Sequence, residues 1–335
     1  MPADETTATP RRDPATIALY KRLANLKVRR RFFRTLDPAH AAVFAEGSDT
    51  LVVTFERTES ITAQGEAPMP LGHELHETFG WSFLTVLATG QTWYRSEPLY
   101  ALIDDLVDRG LFDHFERVVF YGAGTSAHAA CAFSVAAPGA TVIALSPQAT
   151  ITPERAAFDD RFRECRRLDF TSRYGYAPRM LDAAASAHIF HDPTIPEDAA
   201  HAAQFNADHI CLHRLRHFGE NPETVLRAMD GITKLFALYE DDRLTEIEIA
   251  RLMRERRTNR SYLMRVQECL LRANRPYLEA VVCNYIVNSI GGPRFRRRRD
   301  MLTERLNAQG IRLPFQTAED VAAAQEAGAA TAQGA

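Results

Sequence analysis

Short apolar runs alternate with segments of helical periodicity over the first two thirds of the chain. Runs rich in apolar and β-branched residues predict strands at 49–56, 82–87, 117–121, 140–145, 187–190 and 207–212. Apolar residues at helical spacing predict helices at 98–109, 126–136, 180–187 and 197–205. This alternation predicts an α/β fold, with a doubly wound, mainly parallel sheet and helices on both faces.

The pattern changes after residue 221, where no strand signal continues. Helical periodicity covers residues 222–240, 244–257, 259–273, 276–287 and 293–309. We therefore predict an α/β domain over residues 15–220 and an all-helical appendage over residues 221–317. The polar residues 1–14 and the Ala/Gln/Gly-rich residues 318–335 are expected to be disordered tails.

Composition narrows the possible classes of protein. A net charge of −3 gives no electrostatic reason to expect a nucleic-acid partner. The longest apolar stretch, 127–145, is broken by Pro138 and Gly139, and the amino-terminal residues resemble no signal peptide. We therefore expect a cytoplasmic protein without a membrane span. The five cysteines form no C-x-x-C pair, which favours free thiols over a disulfide framework or a metal site.

One segment, residues 118–130, reads as a buried strand, a glycine turn and a helix start. Such a turn serves two different kinds of protein. It is the nucleophile elbow of a hydrolase, or it is the phosphate-binding turn G-x-G-x-x-G/A of a dinucleotide-binding fold. The apex residue distinguishes them, and here it is Gly124. A glycine has no side chain with which to attack a substrate.

The run Phe120 to Ala130 resembles the strand-G-x-S-x-G-G-x-A-A elbow of the α/β-hydrolase family, and the likeness covers roughly residues 40–220. In this alignment Gly122 matches the first glycine of the motif, Ser126 the second, and Gly124 the nucleophile. The resemblance implies an α/β-hydrolase-like domain that has lost its standard nucleophile.

The family's order of catalytic residues, Ser…Asp/Glu…His, locates the other two roles. Asp192 follows a late strand and fits the acid. The histidine is expected after the last strand, but Glu220 occupies its place, and His217 is out of register. We therefore predict a catalytically impaired protein that binds a small ligand or a protein partner. The alternative is a serine esterase or acyltransferase with a displaced triad of Ser126, Asp192 and His217.

A second alternative is an NAD(P)-binding oxidoreductase, because Gly122, Gly124 and Ala127 fit G-x-G-x-x-A. The acidic residue that binds the ribose is missing after the next strand, so no cofactor is our main expectation. The chain is also similar to proteins that carry the name phosphoadenosine phosphosulfate reductase. It has neither their S-G-G-x-D-S-type loop nor their E-C-G-L-H-type cysteine, since Cys165 is followed by Arg166.

The predicted ligand pocket consists of residues at the elbow and at neighbouring strand ends: Gly122, Gly124, Thr125, Tyr94, Gln148 and Glu220.

For the remaining histidines and for the basic run near the carboxyl terminus, we favour a structural role over a binding or catalytic role. His209, His213 and His217 are four residues apart, a spacing that would form a metal-binding face on a helix, and we keep this as a minority hypothesis. His128 is expected to pack rather than to act as a base. The basic run Arg294–Arg299 is expected to be a solvated helix start.

Overall fold

The computed structural model describes residues 13–28, 30–65 and 67–317. It divides into two compact units, the first ending at Glu223 and the second beginning at Thr224. The sequence analysis places this boundary three residues earlier.

The predicted amino- and carboxyl-terminal tails, 1–14 and 318–335, lie outside the described residues except for Asp13 and Pro14. These two residues begin the first helix, and the Asp13 carboxylate accepts a hydrogen bond from the backbone N–H of Ala15. An aspartate at this position satisfies a helix N–H that has no partner within the helix.

A single eight-stranded sheet forms the centre of the first unit. Its strands are β1 (Arg31–Thr35), β2 (His40–Ala45), β3 (Thr50–Arg57), β4 (Ser82–Ala88), β5 (Arg117–Ala123), β6 (Thr141–Leu145), β7 (Ser186–His191) and β8 (Ile210–Arg214). Their order in space is β1-β2-β4-β3-β5-β6-β7-β8. β2 is antiparallel to β1 and β4, and the other pairs are parallel. The predicted mainly parallel sheet is thus confirmed.

Helices flank this sheet. They are α1 (Pro14–Ala24), α2 (Thr58–Thr62), α3 (Leu71–Phe79), α4 (Glu97–Asp108), α5 (Thr125–Phe133), α6 (Pro153–Ala156), α7 (Ala177–Met180) and α8 (Pro196–Ala202). Every residue of α5 is buried, and its alanines pack in the same core as the apolar side chains of β3, β5 and β6. Small side chains allow this helix to approach the sheet closely, which fixes the turn that precedes it.

The structure corrects several element predictions. β1 and β2 were not predicted. The half-exposed β1 shows no clear alternation of buried and exposed residues, whereas β2 is buried throughout. The helix predicted over 180–187 is wrong. α7 ends at Met180, and Ala185 donates a backbone hydrogen bond to Ala140 beside the start of β7. Helix propensity is a weak preference, and sheet pairing overrides it in this alanine-rich segment.

The second unit confirms the predicted helical region. The first of its helices, α9 (Pro222–Ala228), begins two residues before the boundary between the units. The α-helices that follow are α10 (Gly231–Glu240), α11 (Glu246–Met253), α12 (Arg260–Arg272), α13 (Pro276–Ser289) and α14 (Pro293–Asn307). The predicted helix 222–240 is two helices, separated at Asp230, whose φ of 55° lies in the left-handed region. In the part of the chain that the structure describes, no helix is long and apolar enough to cross a membrane.

The basic run at the start of α14 is partly structural. Arg298 donates two hydrogen bonds of 2.8 Å to Glu279, a carboxylate of α13 that is 2% exposed. Gln267 of α12 donates to the same carboxylate at 2.6 Å. Because a buried carboxylate needs partners, this arginine helps to join three helices and is not only a solvated charge.

Candidate functional site at the glycine elbow

The turn between β5 and α5, residues 122–126, is the elbow. Gly124 at its apex has φ 60° and ψ −127°, and its N–H donates to the carbonyl of Leu145 at 2.8 Å. A Cβ on Gly122 would lie 2.2 Å from the carbonyl oxygen of Ser126, so only glycine fits there. The backbone therefore forms the sharp strand-to-helix turn that the resemblance implies, with glycine at the position of positive φ.

The apex of the elbow carries no reactive group. A Cβ built on Gly124 would meet no atom within 4 Å, so the apex is open rather than filled. The next residue, Thr125, is the first residue of α5 and is nearly buried. No side chain caps the N-terminus of α5, which leaves backbone N–H groups directed towards the apex.

Ser126 is buried and engaged with Tyr94. Its Oγ lies 2.7 Å from the Tyr94 hydroxyl, and both side chains are almost inaccessible to solvent. Burial raises the pKa of Tyr94 well above its usual value, so the phenol stays neutral. The described contacts thus join Ser126 to a tyrosine rather than to a histidine base.

Asp192 lies directly after β7, where the family's acid is expected, and it is fully buried. Oδ1 accepts hydrogen bonds from the N–H and the hydroxyl of Thr194 at 2.9 and 2.6 Å. Oδ2 accepts from the N–H of Gly219 at 2.8 Å. Burial alone would raise the pKa of Asp192, but these hydrogen bonds outweigh it and lower the pKa. The carboxylate therefore holds the backbone of the loop that follows β8.

His217 lies in that loop with a φ of 64°, and its Nδ1 is buried without a hydrogen-bond partner. Asp192 is therefore not bonded to the ring nitrogen that a catalytic acid would orient. Glu220, which occupies the expected position of the base, is exposed on the same loop. The structure brings Asp192 and the His217 loop together through main-chain atoms only.

Beside the elbow, three buried polar atoms lack hydrogen-bond partners: Oε1 of Gln148, Nε2 of His128 and Nε1 of Trp93. His128 donates from Nδ1 to the carbonyl of Gln148 at 2.9 Å, which makes Nε2 an acceptor. Burial lowers the pKa of His128 to about 4. The ring packs edge-on against Trp93 and Phe170. His128 is thus a neutral packing residue with one unused acceptor.

The three regularly spaced histidines do not form a metal site. His209 donates to the carbonyl of Leu181 at 2.9 Å, and His213 shares a 3.0 Å hydrogen bond with His188. Burial and the neighbouring His188 lower the pKa of His213 to about 3. Over residues 13–28, 30–65 and 67–317, no three His, Cys, Asp or Glu side chains are grouped to hold a metal ion.

The structure places Gly122 at the end of β5, a central strand between β3 and β6, and Gly124 directly after that strand. β6 is followed by Ser146, Pro147 and Gln148, without a carboxylate for a ribose.

Sequence reasoning missed a further group of polar residues, which come from the start of β2 and from the segment after β4. Asp37 and His40 are three residues apart, but nothing in the sequence links them to Thr92.

No protein-family model matches this sequence, and no curated protein sequence matches it either. The structure is similar to carboxyl esterase 2 (TmelEST2) from the mycorrhizal fungus Tuber melanosporum, with 13% identity over 61% of this chain and 88% of that chain, and a TM-score of 0.37. It is also similar to the capsule O-acetyltransferase of Neisseria meningitidis serogroup A, with 11% identity, 58% and 91% coverage, and a TM-score of 0.35.

A third similar structure is EstE1, a thermophilic carboxylesterase cloned from a metagenomic library. Its identity is 11%, the match covers 71% of this chain and 93% of that chain, and the TM-score is 0.35. Two of these three neighbours are esterases and one is an acyltransferase. The fold class rests on the strand order of the sheet.

Proposed function

We propose that the first unit binds a small molecule through a carbonyl or carboxylate oxygen at the elbow and does not cleave it there. The observation that carries this proposal is Gly124, which has the backbone angles of a nucleophile elbow without a nucleophile. Loss of the nucleophile alone removes most of the rate enhancement of a Ser-His-Asp triad, because the triad acts as a unit.

The contacts of Asp192 and His217, the expected acid and base, support the proposal that the elbow does not hydrolyse its ligand. Asp192 uses both carboxylate oxygens on Thr194 and on the backbone of Gly219. His217 Nδ1 has no partner. A base that is neither oriented nor charge-stabilised contributes little to proton transfer.

The same turn retains features that favour binding of an oxygen atom. The uncapped N-terminus of α5 offers N–H groups of Thr125 and Ser126 with the favourable end of the helix dipole. The open space around Gly124 leaves room for the ligand atom where a nucleophile would otherwise stand. The unpartnered Oε1 of Gln148 is an acceptor, so it suits a hydroxyl or N–H group of the ligand and not the bound oxygen itself.

The alternative functions stay predictions. A displaced triad needs Ser126 to release the Tyr94 hydroxyl and to reach His217. NAD(P) binding needs a ribose partner from residues other than those that follow β6. No described contact favours either function over the binding of a carbonyl or carboxylate oxygen at the apex.

The first test is covalent labelling. The purified chain is treated with a fluorophosphonate probe and digested with trypsin, which releases the elbow as one peptide, residues 118–155. We expect no adduct on this peptide. An adduct on Ser126 would overturn the proposal and support the displaced triad.

The second test measures binding, with acetate, butyrate and octanoate as probes. A ligand at 100 times its Kd stabilises a protein by about 2.7 kcal/mol, which raises its melting temperature. We compare wild type with Gly124→Ala, which fills the apex, and Gly139→Ala, another glycine of positive φ with open space around its Cβ. We expect stabilisation in wild type and Gly139→Ala only. No shift with any acid, or equal shifts in all three proteins, would contradict the binding proposal.

A further inference from the structure

Three polar side chains form a continuous hydrogen-bond chain away from the elbow. His40 Nδ1 lies 2.8 Å from Oδ2 of Asp37, and His40 Nε2 lies 2.8 Å from Oγ1 of Thr92. With the Nδ1 proton donated to Asp37, Nε2 of the neutral ring accepts from the Thr92 hydroxyl. We call these three residues the relay. Its order is carboxylate, imidazole, hydroxyl.

Sheet pairing brings the relay together. Asp37 lies in the turn before β2, His40 is the first residue of β2, and Thr92 follows β4. Because β2 and β4 are antiparallel with His40 opposite Ala88, the start of β2 meets the end of β4. The relay therefore lies at the carboxyl edge of the parallel strands, where α/β folds bind ligands.

Asp37 is held firmly. Oδ1 accepts hydrogen bonds of 2.7 Å from the N–H groups of Ala39 and His40, and Oδ2 accepts from the Ser96 hydroxyl at 2.5 Å. These contacts fix the carboxylate in the orientation that it needs to position the imidazole. The His40 side chain is 4% exposed, so the ring has little freedom to leave this arrangement.

Thr92, in contrast, is half-buried and lines a cavity of about 440 Å³ together with Gln91, Arg95 and Ser96. Its Oγ1 also accepts a hydrogen bond from the N–H of Tyr94 at 3.2 Å. This N–H would stabilise negative charge on the oxygen. Thr92 thus lines the cavity, with a base on one side of its hydroxyl and a donor on the other.

The backbone after Thr92 is strained. Trp93 and Tyr94 have φ values of 55° and 56°, which place two successive bulky residues in the left-handed region. Such a conformation is unfavourable for a residue with a Cβ and persists only where surrounding contacts enforce it. Buried Trp93 packs against Phe162 and Phe170, and Tyr94 against Phe55, which holds the loop in place. Strain of this kind concentrates at active sites.

We propose that the relay is an acyl-transfer site with Thr92 as nucleophile, His40 as general base and acid, and Asp37 as the residue that orients His40. The substrate class is an acyl ester small enough for the cavity of about 440 Å³. This inference does not depend on the proposed binding of a carbonyl or carboxylate oxygen at the elbow. It adds an activity to the first unit.

The reaction balances with water as the only co-reactant. Oγ1 of Thr92 attacks the ester carbonyl carbon as Nε2 of His40 takes the hydroxyl proton. The acyl–alkoxy bond breaks, and His40 gives the proton to the leaving alcohol, so that acyl-Thr92 remains. Water, deprotonated by His40, then attacks the acyl carbon and releases the acid, and the proton returns to Thr92.

The test uses the full chain and p-nitrophenyl acetate. Acid quenching during turnover, trypsin digestion and mass spectrometry should find one acetyl group on Thr92, in the peptide of residues 58–95. Ser126 lies in a different peptide, 118–155. Labelling of Thr92 can therefore be distinguished from labelling of Ser126, and the two proposals are tested separately. Wild type without hydrolysis above the buffer rate, or without acetyl-Thr92, would overturn the proposal.

Matched variants separate catalysis from folding. Thr92→Val keeps the shape and removes the hydroxyl, and we expect at least a 100-fold loss of hydrolysis and no acetyl group on 58–95. Thr92→Ser keeps a hydroxyl and should retain acetylation at residue 92. Thr78→Val, at an exposed α3 threonine bonded to the Glu74 carbonyl, is the control and should match wild type. Full activity in Thr92→Val, or none in a folded Thr92→Ser, would refute the relay.

Discussion

The elbow and the relay lie at the same edge of one sheet, and they differ in what their side chains contact. The elbow has the position and the backbone of a catalytic motif, but Ser126 contacts Tyr94 and Asp192 contacts main-chain N–H groups. The relay matches no motif, yet its carboxylate, imidazole and hydroxyl are joined in line. A residue can therefore occupy the position of a catalytic motif without making the side-chain contacts that catalysis needs, and such contacts can occur where no motif is present.

The two aspartates show the difference most directly. Both are hydrogen-bonded, and these bonds outweigh burial and lower both pKa values. Asp37 also accepts from an imidazole, however, whereas the hydrogen bonds of Asp192 come from Thr194 and from the loop backbone. Asp37 therefore contacts a histidine, as the proposed relay requires, whereas Asp192 binds only a hydroxyl and backbone N–H groups.

The largest expected effect comes from exchanging each carboxylate for an amide. Asp37→Asn should lower p-nitrophenyl acetate hydrolysis by as much as about 10⁴-fold, because the imidazole loses its orienting acceptor and its charge stabilisation. Asp192→Asn should instead lower the free energy of unfolding by about 1–3 kcal/mol, because a buried acceptor for Gly219 is weakened. Steady-state kinetics and urea unfolding measure the two effects.

Unfolding curves for both variants serve as the control, since hydrolysis must be compared at equal folded fraction. Similar losses of activity from both substitutions in folded protein would show that Asp192 also takes part in hydrolysis. The distinction between the two aspartates would then be wrong.

The next effect concerns His128, whose burial near the elbow lowers its pKa from 6.5 to about 4. Between these values the unfolded chain binds a proton that the folded protein does not. The free energy of unfolding therefore falls as the pH drops from about 6.5 to about 4, with a contribution from His128 of about 3 kcal/mol. Urea unfolding at several pH values measures this dependence.

His128→Asn isolates the contribution, because an asparagine keeps a donor for the Gln148 carbonyl and does not titrate. Its unfolding free energy should depend less on pH over this interval than that of wild type. Identical pH dependence in both proteins would mean that His128 is not buried as a neutral ring.

The sheet and the helical region were predictable because they depend on repeated local signals. The apolar runs of β3 to β7 are buried on both faces, so their composition alone marks them as strands. β1 escaped prediction because its residues are exposed or half-exposed and lack a clear alternation. Boundaries within the alanine-rich segment before β7 depended on sheet pairing, which the sequence does not show.

The candidate site was predictable only in part. Gly122, Gly124 and Ser126 lie within five residues of one turn, so their arrangement follows from local backbone geometry. Contacts between distant residues were not accessible to sequence reasoning. The 2.8 Å contact between His40 and Thr92 spans 52 positions and depends on the register of β2 with β4.

The smallest expected effect tests whether the two sites act separately, since Tyr94 contacts both. Its hydroxyl meets Ser126 at the elbow, and its backbone N–H meets Thr92 of the relay. Tyr94→Phe removes only the first contact and should cost about 1 kcal/mol of unfolding free energy. A double-mutant cycle with Ser126→Ala should give a coupling energy of about 0.5–1.5 kcal/mol.

Acetylation of Thr92 should persist in Tyr94→Phe, because the N–H that contacts Oγ1 is unchanged. Thr92→Val is the reference for complete loss. If Tyr94→Phe lost acetylation to the same extent while it stayed folded, the phenol would be needed at both sites. The elbow and the relay would then form one catalytic unit, because a side-chain contact at the first would control the chemistry of the second.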